Sequence, residues 1–425
     1  MSGLIFFNDS QKISNLDKDL AQELTCRELV SNGKTPKVTF CGLLIRGRDL
    51  FVFLPRSIDL SALSSSGKVQ AASELMRAVS LYGEASKTAI NMSDSDDDIE
   101  GKSQLNLIIN LLRFYQKFGL YSRRKSTKVL NTGRPNWKET VTSSVAFPNI
   151  LGQPVYLDVV SIKSDYFSDC EVARIQAFLL RDIDENFSWI LSGKKGRLFP
   201  ELEEVIPPRG DNQYMLYMLK RELPLLYSDN DIYLIKLLIS YLELVSGSSG
   251  SNMVVGLKKF HFAWEFMLSR VLSDVWSGIN KILPAPAYKN LEGDFENAFR
   301  SGMKADIALH RSSDEVVIVD AKYYEASKVN NSPNWSDIVK QFFYEKALLS
   351  TNNALRIKNV FIFPGERRHF SAIHLRSKEG GYQFYDEQFP PIHCYYLPPL
   401  EVIHYFVNYK KMDDFTDFLF KDNCV

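Results

Sequence analysis

Ala305-Asp-Ile-Ala-Leu-His310, the turn Arg311-Ser-Ser-Asp314 and Glu315-Val-Val-Ile-Val-Asp-Ala-Lys322 form the stretch on which the fold turns. Two short apolar runs joined by a tight polar turn predict a strand pair, Ala305 to His310 and Glu315 to Tyr324. Side chains alternate along a strand, so Val316, Ile318, Asp320 and Lys322 share one face and Val317, Val319, Ala321 and Tyr323 the other. A carboxylate and an ammonium at the end of an apolar run are costly unless they have partners. The turn brings Asp306, inside the first strand, beside Asp320.

Two carboxylates held together repel and raise each other's pKa, and a divalent cation removes that penalty. An oxygen-only ligand set with room for water suits Mg²⁺, with Mn²⁺ as a substitute. Lys322 beside such a cation would orient an attacking water and offset phosphate charge. These are the parts for metal-assisted phosphodiester hydrolysis. The competing reading is a structural ion pair, Asp320–Lys322 or Asp306–Lys322. Glu265 borders the apolar face of a predicted helix, where it would either serve the site or pair with Arg300 or Lys304. Asp337, Gln341 and Tyr344 lie four and three apart, on one helix face that either positions substrate or faces solvent. The six histidines show no metal spacing.

Outward from this core, Leu257 to Ile279 reads as one long helix, with Phe260, Trp264, Met267, Val271 and Val275 on one face. Ser336 to Ser350 reads as a helix with Ser336 as N-cap after Pro333. Asn359 to Phe363 reads as a strand, and the aromatic-rich Phe370 to Val425 as a packed extension. Helix, strand, strand, helix, strand make a compact α/β unit with a mixed sheet. Upstream, Lys37 to Ile45 and Leu50 to Leu54 predict a hairpin turning at Arg46-Gly-Arg-Asp49. Gly67 to Leu81, Gln104 to Tyr115, Tyr214 to Leu219 and Ile232 to Val245 read as helical. Val141 to Phe147 and Val155 to Ile162 read as strands. Between them and the preceding helix runs a basic stretch with Arg123, Arg124, Lys125, Lys128, Arg134 and Lys138, either a solvated loop or a set of phosphate contacts. Ser93 to Lys102, dense in acidic residues, reads as an exposed loop. Ser246-Gly-Ser-Ser-Gly-Ser-Asn252 reads as a flexible linker. The expected fold class is therefore α/β, of the α+β kind: residues 1–245 a mixed region, 246–252 a linker, and 253–425 a second domain.

At about 150 residues per domain, 425 residues give two or three domains. Hydrophobic residues at 45% and charged residues at 24% exclude a disordered or fibrous chain. Lys and Arg number 51, as do Asp and Glu, so polyanions would be met by a local patch rather than by global charge. Tyr233 to Val245 is too short, and too interrupted by Lys236 and Glu243, to span a membrane. Leu4-Ile-Phe-Phe7 lacks the charged flank of a signal peptide. Five scattered cysteines without CxxC fit a reduced, cytoplasmic interior. Gly33-Lys-Thr35 ends like a P-loop, but position 28 is Glu where the first glycine belongs, and Gly193-Lys194 is followed by Lys195. No nucleotide is expected to bind through a P-loop.

Asp306…Asp320-Ala321-Lys322, with Glu265 upstream and Gln341…Tyr344 downstream, resembles the PD-(D/E)XK nuclease superfamily, with Ala305 where a proline often stands. Asp320-Ala-Lys-Tyr-Tyr324 and Phe260-His-Phe-Ala-Trp-Glu265 look like the nuclease subunits of LlaJI-type restriction endonucleases, relatives of McrC in GTP-dependent McrBC systems. Cys41 to Pro55 and Gly133-Arg-Pro-Asn-Trp-Lys-Glu-Thr140 are similar to segments of the same group. The resemblance implies that Asp306, Asp320 and the Ala321 carbonyl ligate Mg²⁺. Lys322 would be the catalytic lysine and Glu265 the helix glutamate, with Gln341, Tyr344 and Asp337 positioning substrate. It implies a bacterial endonuclease acting on double-stranded DNA, driven by a separate AAA+ GTPase on which the N-terminal region docks, in an oligomeric complex. A stand-alone nuclease on RNA or single strands, and a non-catalytic scaffold for a partner NTPase, are the alternatives.

Overall fold

The computed structural model describes residues 4–46, 49–88, 99–167, 169–246, 252–298, 302–312, 314–378 and 383–421. β1 (Leu4–Asn8), α1 (Lys18–Cys26), β2 (Cys41–Arg46), β3 (Asp49–Leu54), α2 (Ser65–Thr88), β4 (Ile99–Glu100) and α3 (Lys102–Phe118) come first. β5 (Arg123–Leu130), β6 (Arg134–Pro135), α4 (Trp137–Ser143), β7 (Ala146–Pro148), β8 (Pro154–Tyr156), β9 (Val160–Phe167), α5 (Glu171–Ser192), α6 (Asn212–Glu222) and α7 (Asp229–Ser246) follow. Next run β10 (Asn252–Leu257), α8 (Phe260–Val271), α9 (Ile279–Ile282), β11 (Ala287–Lys289), β12 (Phe295–Asn297), β13 (Ile307–Arg311) and β14 (Glu315–Ala321). α10 (Trp335–Thr351), β15 (Arg356–Pro364), β16 (Ala372–Ile373), β17 (Ile392–Leu397), α11 (Pro399–Val407) and α12 (Asp413–Lys421) complete the chain. Helices and mixed sheets make it α/β, as the periodicities predict.

Two compact units emerge: residues 1–105, 189–195 and 251–425 form one, residues 106–188 and 196–250 the other. The linker read at 246–252 lies, between its end residues, outside the described residues. Beyond it the chain returns to the N-terminal sheet. β10 pairs antiparallel with β2, giving the order β1-β3-β2-β10-β4. Hydrogen-bonded neighbours in one sheet cannot belong to separate cores, so the first hundred residues and the last 175 share a unit. Gly42 faces Gly256 across this pair. A Cβ on either would lie 2.3 Å from a carbonyl oxygen of the opposite strand, so only glycine fits. The predicted hairpin is β2–β3; residues 47–48 of its turn lie outside the described residues, as do residues 93–98 of the acidic segment.

The second sheet of this unit runs β13-β14-β15-β17-β16. β13 is antiparallel to β14, while β14, β15 and β17 are parallel. Six of the seven β14 residues are buried, because helices cover both faces. Val316 and Ile318 pack with Tyr344, Ala347 and Leu348 of α10, and Tyr323 meets Phe260 and Trp264 of α8. The C-terminal stretch supplies β17 to the middle of the sheet, so it is core rather than appendage.

Several local expectations yield to tertiary pairing. The helix predicted to reach Ile279 ends at Val271. Asp274 takes φ 56° and Val275 bridges Leu309, because the backbone there serves the open edge of β13. The strand read from Val141 begins instead as α4, whose Asn136 caps the Glu139 N–H; Ala146 to Pro148 is the strand. The segment Val155 to Ile162 divides between β8 and β9. The N-cap of α10 is Asn334 rather than Ser336, in a reciprocal box with Asp337.

Candidate active site

At the end of β14 the register decides the chemistry. Ile307 pairs with Val319, so the next step outward sets Asp306 opposite Asp320. Asp306 stands just before β13 rather than inside it, and it is pinned from three directions. The Ala321 N–H donates to its Oδ2 at 3.3 Å. Asn280 clamps Ala305 through both backbone groups, at 2.9 and 3.2 Å. The Tyr344 hydroxyl donates to the Lys304 carbonyl. Neither Asn280 nor the positioning duty of Tyr344 was visible in the sequence, because both act on backbone.

Asp320 is 2% exposed. Its Oδ1 has no hydrogen-bond partner among the described residues, and its Oδ2 meets the Lys322 ammonium at 2.9 Å. Lys322 Nζ also lies 2.9 Å from Asp337 Oδ1 in the first turn of α10. Burial alone would lower the Lys322 pKa; the Asp320 charge and the contact with Asp337 outweigh it and hold it raised. Asp306 exposes part of its surface, yet its carboxyl is raised well above the usual range, first by burial, then by Asp320 beside it and by Glu265. Glu265 on α8 is pushed up to about 7, by burial first and by the Asp320 charge second, with Lys322 and Lys340 opposing. Lys340, not singled out from sequence, lies 5.6 Å above the Tyr344 ring and tempers both carboxylates.

Gln341 and Tyr344 are buried, at 0% and 2% exposure, so their helix face is not a solvent face. Both polar atoms of the Gln341 side chain lack partners among the described residues. The basic stretch is no loop: Arg123, Arg124, Lys125 and Lys128 lie on β5, Arg134 on β6 and Lys138 on α4. Arg123 pairs with Glu222 at 3.4 Å and Lys128 with Glu139. Arg134 and Lys138 are exposed, and the side chains of Arg124 and Lys125 lie outside the described residues. This stretch belongs to the second unit.

The donor set fits a hard divalent cation. Asp306 and Asp320 face each other through oxygen, and one buried carboxylate oxygen lacks a partner. Among the described residues no three acidic, histidine or cysteine side chains gather as a metal-binding group. Two carboxylates and a backbone carbonyl suffice for Mg²⁺, which keeps several of its waters.

A family model described as the LlaJI restriction endonuclease matches residues 40–374, which makes the class that of a restriction-system nuclease. The chain belongs to the LlaJI restriction endonuclease family. It is 24% identical over 343 residues, 76% of this chain and 72% of the relative, to the type II restriction enzyme BsuMI component YdjA of Bacillus subtilis (strain 168). Among solved structures it is similar to a chain of the Thermococcus gammatolerans assembly of McrB AAA+ hexamers with bound McrC, at 11% identity and TM-score 0.44, covering 96% of this chain and 99% of that one. A chain of the McrBC complex of the same organism gives 10% identity and TM-score 0.28, covering 63% and 87%.

Proposed function

We propose that this chain is the Mg²⁺-dependent DNA-cleaving subunit of a restriction complex, built on a PD-(D/E)XK site and driven by a separate AAA+ GTPase. The observation that carries the reading is the facing Asp306–Asp320 pair, with one buried carboxylate oxygen unpartnered and an ammonium 2.9 Å from the other. Asp306, Asp320 and the Ala321 carbonyl would hold Mg²⁺ or Mn²⁺, which supplies Lewis acidity and charge neutralisation at a phosphodiester. Lys322 holds a fixed positive charge where phosphate charge builds, and Asp337 sets where its Nζ points. Tyr344 and Asn280 hold the backbone that presents Asp306.

The partner rests on two supports. The P-loop residues are incomplete, so nucleotide-driven work falls to another protein. The second unit also exposes apolar side chains at Trp137, Val145, Ile150, Leu151 and Leu157, a surface suited to a protein partner. Duplex DNA is the substrate, the complex is oligomeric, and the setting is a bacterial cytoplasm. Among the described residues no helix is long and apolar enough to cross a membrane.

One observation favours a second reading: Lys322 is held by two carboxylates, as in a structural ion-pair network. The deciding assay is plasmid cleavage with Mg²⁺ and the protein of the adjacent gene, with and without GTP. Lys322→Ala and Asp320→Ala should cut at least ~10²-fold more slowly than wild type, while melting cooperatively and still binding the partner. Equal cutting by either variant overturns the assignment. No cutting by the wild type in any combination returns the site to the scaffold reading.

A further inference from the structure

A cleft of about 460 Å³ opens beside the carboxylates, and its walls carry four basic side chains, Arg56, Lys258, Lys259 and Lys322, against two acidic ones, Asp9 and Glu265. Glu265, Ala321 and Lys322 line one side. Asp9, Thr39 and Arg56 of the N-terminal segment line another, and Lys258 and Lys259, just before α8, a third.

Arg56 is fixed on two sides. Its Nε and Nη2 face the buried Asp9 carboxylate at 3.1 to 3.2 Å. Its guanidinium lies 4.5 Å above the Tyr323 ring, next in sequence to Lys322. The Arg56 N–H donates to the Tyr323 hydroxyl at 3.2 Å, and that hydroxyl contacts Cys41 Sγ at 3.7 Å. Nη1 donates to nothing among the described residues, and the side chain is 23% exposed. A guanidinium gripped along one edge and one face, with the other edge toward a cleft, is a preorganised anion donor. Asp9 offsets the charge of Arg56, and Lys258 and Lys259 add positive charge to the wall.

We propose that Arg56, Lys258 and Lys259 form a phosphate subsite that grips the DNA backbone beside the bond to be cut, so that the N-terminal hairpin segment supplies part of the substrate grip. This rests on the nuclease reading for its substrate, and it adds a site outside the carboxylate and lysine set. These residues are binding residues; the assignment gives them no part in bond breaking.

The test is the salt dependence of DNA binding by the full chain, measured by anisotropy of a fluorescein-labelled 20-bp duplex in EDTA, where no cleavage occurs. Each lost phosphate contact should flatten the log Kd against log salt plot by about 0.9. Lys258→Gln with Lys259→Gln should therefore lower the slope by about 1.8 and weaken binding equally across sequences. Removing Arg56 alone strips a buried carboxylate of its partner, so Arg56→Gln is combined with Asp9→Asn; that pair should lower the slope by about 0.9. Inorganic phosphate competing at millimolar concentration, with duplex binding unaltered in the variants, would mean a free-anion site and overturn the DNA assignment. An unchanged slope in both variants, or no duplex binding by the wild type, also overturns it. Cleavage separates this from the parent reading: if Lys322→Ala abolishes cutting while the slopes stay unchanged, the subsite falls and the nuclease stands. Slopes that fall in a protein that never cuts leave the subsite and remove the nuclease.

Discussion

Glu265 shows how one side chain reports the state of its neighbours. Its pKa is raised to about 7 from an ordinary 4.5, by burial first and by Asp320 second. Between those values the folded chain keeps a proton that the unfolded chain has released. The unfolded state then binds fewer protons, so the contribution of Glu265 to stability falls as pH rises through that window and is gone above about 7. Asp306, raised by burial and by Asp320, acts with the same sign. In EDTA the melting temperature should therefore drop between about pH 5 and about pH 7.5. Glu265→Gln should make that drop shallower, and Mg²⁺ at the upper end of the range should restore stability to the wild type by binding the folded state. A Glu265→Gln profile that tracks the wild type would show that Glu265 does not carry the raised pKa.

At the scale of elements, α10 is held at its start by a box that also serves the site. The Asn334 side chain accepts from the Asp337 N–H at 3.1 Å, and Asp337 Oδ2 accepts from the Asn334 N–H at 3.2 Å. Asp337 Oδ1 meanwhile holds Lys322. Asn334→Ala should cost about 1 kcal/mol in denaturant unfolding, whereas Ser336→Ala should stay within about 0.5 kcal/mol; the reverse order would return the cap to Ser336. The strand pair and its facing carboxylates were legible because a period of two fixes which side chains share a face, and a short turn fixes register. The end of α8 was not, since Val275 keeps helical spacing while its backbone bridges Leu309. Arg56 was illegible for a related reason: its partners Asp9 and Tyr323 lie 47 and 267 residues away, and no local pattern marks such a meeting. Gln341 and Tyr344 were legible as a stripe, but which side of the helix the sheet would cover was not.

For the whole molecule, the return of β10 to the N-terminal sheet decides what can fold alone. Residues from 253 onward carry the carboxylates, Lys322 and the sheet that holds them. They also carry β10, whose partner is β2, and Tyr323, whose hydroxyl and ring are met by Arg56. Cut at the glycine-serine segment, the C-terminal piece would expose Val254, Val255 and Leu257, all buried in the intact chain, along an unpaired strand edge. Residues 253–425 expressed alone should therefore lack a cooperative melt and bind a hydrophobic dye, while co-expression with residues 1–246 should restore a soluble, cooperatively melting complex. Gly256→Ala in the full chain should reproduce part of that loss, because its Cβ would press on the Cys41 carbonyl oxygen and the Gly42 Cα. A cooperative melt of the isolated C-terminal piece at the full-length temperature would instead mean that the nuclease sheet is self-sufficient and that the N-terminal strands are an addition to it.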